Sequence, residues 1–144
     1  MKILIINGPN LNMLGRREPE IYGDTTFEQY LASLRTELGD MMTIDHFQSN
    51  IEGELIDALQ RADGHYDAVL LNGGGYTHTS VALRDAVAAI ATPVIEIHIS
   101  QPAAREEFRH VSLLAAVCKG SISGFGLASY RLGALAVFSG NTPK

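Results

Sequence analysis

Two short runs most constrain what this chain can fold into. Ile3-Leu4-Ile5-Ile6 and Ala68-Val69-Leu70-Leu71 are apolar at every position, and polar residues follow each at once. Segments this short are strands rather than helices. A strand with no polar alternation is buried on both faces, which points to a parallel sheet covered by helices on each side. The spacing predicts strands at Lys2–Asn7, Met42–Gln48, Ala68–Asn72 and Val94–His98, with a weaker fifth at Gly120–Gly124.

Amphipathic runs separate these strands. Thr25-Thr26-Phe27-Glu28 reads as a capping box opening a helix that carries Tyr30, Leu31, Leu34 and Leu38 at helical spacing. Ser49-Asn50-Ile51-Glu52 reads as a second box, followed by Leu55, Ile56 and Leu59. Ser80 to Ala91 is a third helix, stopped by Thr92-Pro93, and Leu127 to Phe138 is a last one. Ala103 to about Ala116 reads as partly helical. The expected architecture is α/β: a flavodoxin-like, doubly wound, five-stranded parallel sheet in the order 2-1-3-4-5, forming one domain over residues 1–144.

Composition removes several classes of function. With 46% hydrophobic and 19% charged residues, the chain can build an ordinary core. A net charge of -5 supplies no basic field for nucleic acid or an anionic membrane. The single cysteine, Cys118, excludes an intrachain disulfide and a cysteine zinc cluster. The apolar run after Met1-Lys2 is too short for a signal-peptide core, and no stretch approaches a membrane span. A cytoplasmic protein is expected.

In doubly wound sheets, ligands bind at the carboxyl ends of the strands near the switch point. Those ends are polar here. Strand 1 runs into Asn7-Gly8-Pro9-Asn10, strand 3 into Asn72-Gly73-Gly74-Gly75-Tyr76-Thr77-His78, and strand 4 carries Glu96 and ends at His98-Ile99-Ser100. The proposed order makes these strands neighbours. A metal reading of His78, His98 and Glu96 lacks a supporting helix pair or carboxylate set. The glycine-rich NGGGYTHTS has neither the lysine of a phosphate loop nor dinucleotide spacing, although its backbone could hold an anion. Only Lys2, Lys119 and Lys144 are present, which gives poor support to an imine mechanism. The candidate acids and bases are His78, His98, Glu96, Asp85 and Tyr22. His46 and His110 read as structural, and Arg84, Arg105, Glu106 and Glu107 as helix-surface charges.

The segment from Asn7 to Gly23, NGPNLNMLGRREPEIYG, is long for a βα connection, where about 2–6 residues is usual. It reads as a lid, with Gly15 and Gly23 as hinges. A tyrosine of pKa about 10 is ionised in roughly one molecule in a thousand at neutral pH. An arginine about 4 Å away favours the phenolate by about 4 kcal/mol at an effective dielectric near 20. Arg17 and Tyr22 could form such a pair when the lid closes.

Five blocks, NGPNLNMLGRREPEIYG, QSN.EGELID, LNGGGYTHTSVALRDA, IEIHIS and REEFRH, resemble type II 3-dehydroquinate dehydratase in order and spacing over nearly the whole chain. The resemblance implies conversion of 3-dehydroquinate to 3-dehydroshikimate and water through an enolate, without metal, cofactor or imine. It implies Tyr22 as the base held ionised by Arg17, Asn10 as the enolate stabiliser through a water, and His98 as the general acid oriented by Glu96. It further implies Asn72, His78, Ile99, Ser100 and Arg109 as substrate-binding residues. Asp85 would complete a neighbour's site in a trimer-based dodecamer. The departures from the family are Gly73 and Gly75, which suggest a looser turn, Ile51, Cys118-Lys119, and Ser121 and Ser123 in the last strand. They are expected to touch packing and subunit contacts, not catalytic positions. Two other readings compete: a non-catalytic flavodoxin-like module for a nucleotide or flavin, and an assembly protein that keeps only the fold.

Overall fold

The computed structural model describes residues 1–16, 20 and 23–139. Five strands, β1 (Lys2–Asn7), β2 (Thr43–Gln48), β3 (Ala68–Asn72), β4 (Val94–His98) and β5 (Gly120–Ser123), form an all-parallel sheet in the order β2-β1-β3-β4-β5. The described helices are α1 (Phe27–Leu38), α2 (Glu52–Ala62), α3 (Val81–Ala89) and α4 (Ala128–Phe138). The fold is the expected flavodoxin-like one.

Strand alternation divides the core in two. Ile3, Ile5, Ile44, Leu70, Ile95 and Ile97 point to one face and pack with Phe27, Leu31 and Leu34 of α1 and Tyr130 and Ala134 of α4. Leu4, Ile6, Val69, Leu71 and Val94 point to the other, against Leu55 and Leu59 of α2 and Leu83 and Val87 of α3. This is why ILII and AVLL have no polar member: each residue has a helix to meet.

Helix termini differ from the expected signals. The box of α1 lies one residue later, with Thr26 Oγ1 accepting the Gln29 N–H at 3.2 Å and Gln29 Oε1 accepting the Thr26 N–H at 3.0 Å. At α2 the second box does not form. Ser49 Oγ accepts the Ile51 N–H at 2.9 Å and donates to Glu54, while Glu52 accepts from Ser80, the N-cap of α3. Helix α3 ends at Ala89, earlier than expected, because Asp63 Oδ1 takes the Ala91 and Thr92 N–H groups at 2.9 and 3.0 Å. The stretch expected to be partly helical consists of three 3₁₀ turns, Pro102–Ala104, Glu107–Arg109 and Ala115–Val117.

The long connection after β1 is not all lid. Leu11–Met13 forms a 3₁₀ turn, and Leu11 and Leu14 are buried in the core. Gly15 (φ 90°) abuts the far end of the connection: a Cβ there would lie 2.9 Å from the Asp24 carbonyl oxygen. The candidate lid therefore shrinks to the segment between Gly15 and Gly23. Most of that segment, residues 17–19 and 21–22, lies outside the described residues.

Candidate functional site

The carboxyl ends of β1, β3 and β4 surround a pocket of about 120 Å³. Pro9, Asn10 and Leu11 form one wall, Asn72, Gly74, Gly75 and His78 another, and His98, Ile99, Ser100, Arg105 and Arg109 the third. Typical pockets for drug-sized ligands span about 300–1,000 Å³. This one does not favour the nucleotide or flavin reading.

Alternation along β4 brings a carboxylate and an imidazole together. Val94, Glu96 and His98 share a face, so two residues of spacing bring their side chains together. His98 Nε2 lies 2.9 Å from Glu96 Oε2. Glu96 is 1% exposed. Burial pushes its carboxyl up, but hydrogen bonds from His98, Ser112 and Ser121 outweigh that and leave it below the ordinary carboxylate value. A buried carboxylate with donors on both oxygens is an anion and an acceptor only. His98 therefore donates through Nε2–H and keeps Nδ1 as its other ring nitrogen at the pocket.

A second polar cluster lies beneath the pocket. Tyr130 Oη, fully buried on α4, donates to Asn7 Oδ1 at 2.7 Å and accepts from Asn72 Nδ2 at 2.9 Å. Asn7 and Asn72 are register partners at the ends of β1 and β3. Asn7 Nδ2 also donates to His46 Nε2 at 3.2 Å. Asn72 Oδ1 accepts the Gly74 N–H at 3.1 Å, which draws in the glycine turn. Burial pushes the Tyr130 phenol well above its ordinary value, so it stays neutral.

Cationic side chains close the rim. Arg109 Nε donates to Glu106 Oε1 at 3.0 Å, and Arg105 Nη1 donates to Ser100 Oγ at 3.3 Å. His78 Nδ1 donates to the Val111 carbonyl at 2.8 Å, which fixes the orientation of the ring. Asn10 adopts a left-handed conformation (φ 70°) and its N–H is held by Asn50 Oδ1 at 3.0 Å.

Of the sequence-derived site residues, Asn10, Asn72, His78, His98, Ile99, Ser100 and Arg109 line this pocket. Glu96 lies directly behind His98. Asp85 does not line it: it sits on α3 with a side chain 65% exposed, 3.4 Å from Arg84. Arg17 and Tyr22 lie outside the described residues. Two expectations are corrected. Arg105 is no helix-surface charge but part of the pocket wall, because the segment that bears it turns in 3₁₀ steps across the end of β4. Ser121 does not concern packing alone, because its hydroxyl reaches Glu96 at 2.6 Å. Ser112 and Tyr130 escaped the sequence reading, and Asn7 entered it only as part of the polar end of strand 1. The one signal for Asn7 is its place at the end of an apolar strand.

Fold and pocket define a flavodoxin-like α/β protein with a buried carboxylate–imidazole dyad at the carboxyl edge of its sheet. Residues 1–138 match the family described as Dehydroquinase class II, and the chain belongs to that family. The 3-dehydroquinate dehydratase of Exiguobacterium sp. is 57% identical over 132 residues, 92% of this chain and 90% of the relative. That of Geotalea daltonii is 50% identical over 142 residues, 96% and 97% of the two chains. The crystal structure of type II dehydroquinase from Butyrivibrio crossotus superposes with a TM-score of 0.90 at 43% identity, covering 96% and 97% of the two chains.

Proposed function

We propose that this chain, a 3-dehydroquinate dehydratase by family and relatives, eliminates water from 3-dehydroquinate with Tyr22 as base and His98 as acid. The Tyr22 phenolate, kept ionised by Arg17, takes a proton from C2 beside the C3 ketone. The C–H electron pair becomes an enolate, stabilised through Asn10 by way of an ordered water. A well-placed donor of this kind is worth about 2.7–4 kcal/mol. The enolate then collapses to the enone as the C1 hydroxyl departs, protonated by His98 Nδ1–H. The products are 3-dehydroshikimate and water.

The observation that carries this reading is the Glu96–His98 dyad, buried behind and opening into a small pocket rimmed by Arg105 and Arg109. The carboxylate keeps the imidazolium in place, and the arginines suit an anionic substrate. Asn72, His78, Ile99 and Ser100 complete the binding surface. Asp85 serves a neighbouring subunit in a trimer-based dodecamer, and the protein works in the cytoplasm. The same step serves the shikimate route to chorismate and aromatic amino acids and the catabolism of quinate.

The test is ultraviolet absorbance on mixing protein with 3-dehydroquinate, because the conjugated product absorbs where the substrate does not. Absorbance is expected to rise, unaffected by chelator or borohydride. Tyr22→Phe is expected to abolish the rise while leaving substrate binding largely intact. Near-normal turnover in that variant would remove Tyr22 from the base role.

A further inference from the structure

Glu96 is held by more than His98. Strand β5 pairs with β4 in a register that sets Ser121 opposite Glu96, and Ser121 Oγ donates to Glu96 Oε1 at 2.6 Å. On the other oxygen, Ser112 Oγ donates to Oε2 beside the His98 bond. The direction of the Ser112 bond is forced. Its oxygen accepts the Leu114 N–H at 3.2 Å and the Ala115 N–H at 3.1 Å, so only its proton is left for the carboxylate. One ring nitrogen and two hydroxyls thus converge on a single buried carboxylate.

We propose that Ser121, seconded by Ser112, is a positioning residue for the dehydration, fixing the Glu96 carboxylate so that it holds His98 with Nδ1 turned to the substrate. The inference rests on the reading of His98 as the acid. A carboxylate with Oε1 unpartnered can rotate or take up a proton. In either case it loosens its hold on the imidazole. A hydroxyl on Oε1 prevents both while leaving Oε2 to His98. Burial alone opposes the charged state of Glu96, and His98 is the only ionisable side chain bonded to it among the described residues. The other ionisable groups lining the pocket are His78, Arg105 and Arg109.

Threonine and valine at residue 121 have nearly the same shape, both suit a strand, and they differ in one hydroxyl. Ser121→Thr is expected to keep parental kinetics. Ser121→Val is expected to lose about tenfold in kcat with KM within about twofold, and its acid limb of kcat to move up by about one pH unit. Ser121→Ala, which needs no extra room, is expected to show the same loss. His98→Asn, assayed alongside, is expected to be inactive. If the Thr, Val and Ala variants share one kcat and one pH profile while His98→Asn is dead, the acid assignment stands and the role of Ser121 is overturned. If His98→Asn turns over normally, the acid assignment falls and this inference with it.

Discussion

His46 is a residue whose environment, not its sequence context, decides its chemistry. Burial pushes its imidazole below the ordinary value, Arg35 adds to the fall and Glu28 opposes it. Its Nε2 must stay unprotonated to accept from Asn7 Nδ2, and Asn7 in turn receives the Tyr130 hydroxyl. A group whose pKa is depressed by folding stabilises the fold fully above its unfolded value, about 6.5, and loses that contribution as pH falls toward and through the folded value. Urea midpoints measured between pH 7.5 and 5 are therefore expected to fall with pH. In His46→Gln, which keeps an acceptor for Asn7 but cannot titrate, the fall is expected to flatten. An unchanged slope would show that His46 carries no such linkage. Tyr130 makes the complementary point. It is a tyrosine near the pocket that cannot act as a base, because burial keeps it neutral and both its neighbours are amides.

Among elements, the turn after β3 decides how tightly the pocket closes. Gly74 has φ +58°, and a Cβ there would lie 3.0 Å from the Pro9 carbonyl oxygen in the opposite wall. Gly75 is unconstrained, since a Cβ there would meet nothing within 4 Å. Gly73 has φ -73°, which any residue adopts, but a Cβ there would sit 2.9 Å from Thr77 Oγ1. The expected looseness does not follow from these glycines: the turn is a 3₁₀ helix over Gly74–His78, with the Asn72 side chain on its first N–H. Gly74→Ala is expected to cost about 1–2 kcal/mol for its left-handed backbone and to lower kcat/KM by displacing Pro9 and Asn10. Gly75→Ala is expected to be neutral in both urea denaturation and kinetics. Equal effects at the two positions would refute this division. Strands β1 and β3 were legible because their apolar runs are continuous. The segment after β4 was not, because Pro102 and its successors satisfy their backbone in isolated 3₁₀ turns that have no helical period.

Over the whole molecule, several large apolar side chains stand at the surface. Phe108, Val111 and Phe125 are 66%, 68% and 65% exposed, and Ile51 and Val81 each 59%. Side chains of this kind gather at interfaces between subunits. Light scattering is expected to give the mass of a dodecamer of this chain, and a fully active monomer would overturn that assembly. The sequence by itself determined the strands and the polar strand ends that meet at the pocket, because hydrophobic periodicity is a local rule, and the alternation of strands and helices pointed to the doubly wound order. It also placed Glu96 and His98 together, since two residues of strand spacing put side chains on one face. Only the tertiary structure decided which hydroxyls serve Glu96, that Tyr130 clamps Asn7 to Asn72, and that Arg105 faces the pocket. Ser112 and Ser121 lie 16 and 25 residues from Glu96 in sequence. Their contact depends on cross-strand register and loop path, and no local pattern encodes either.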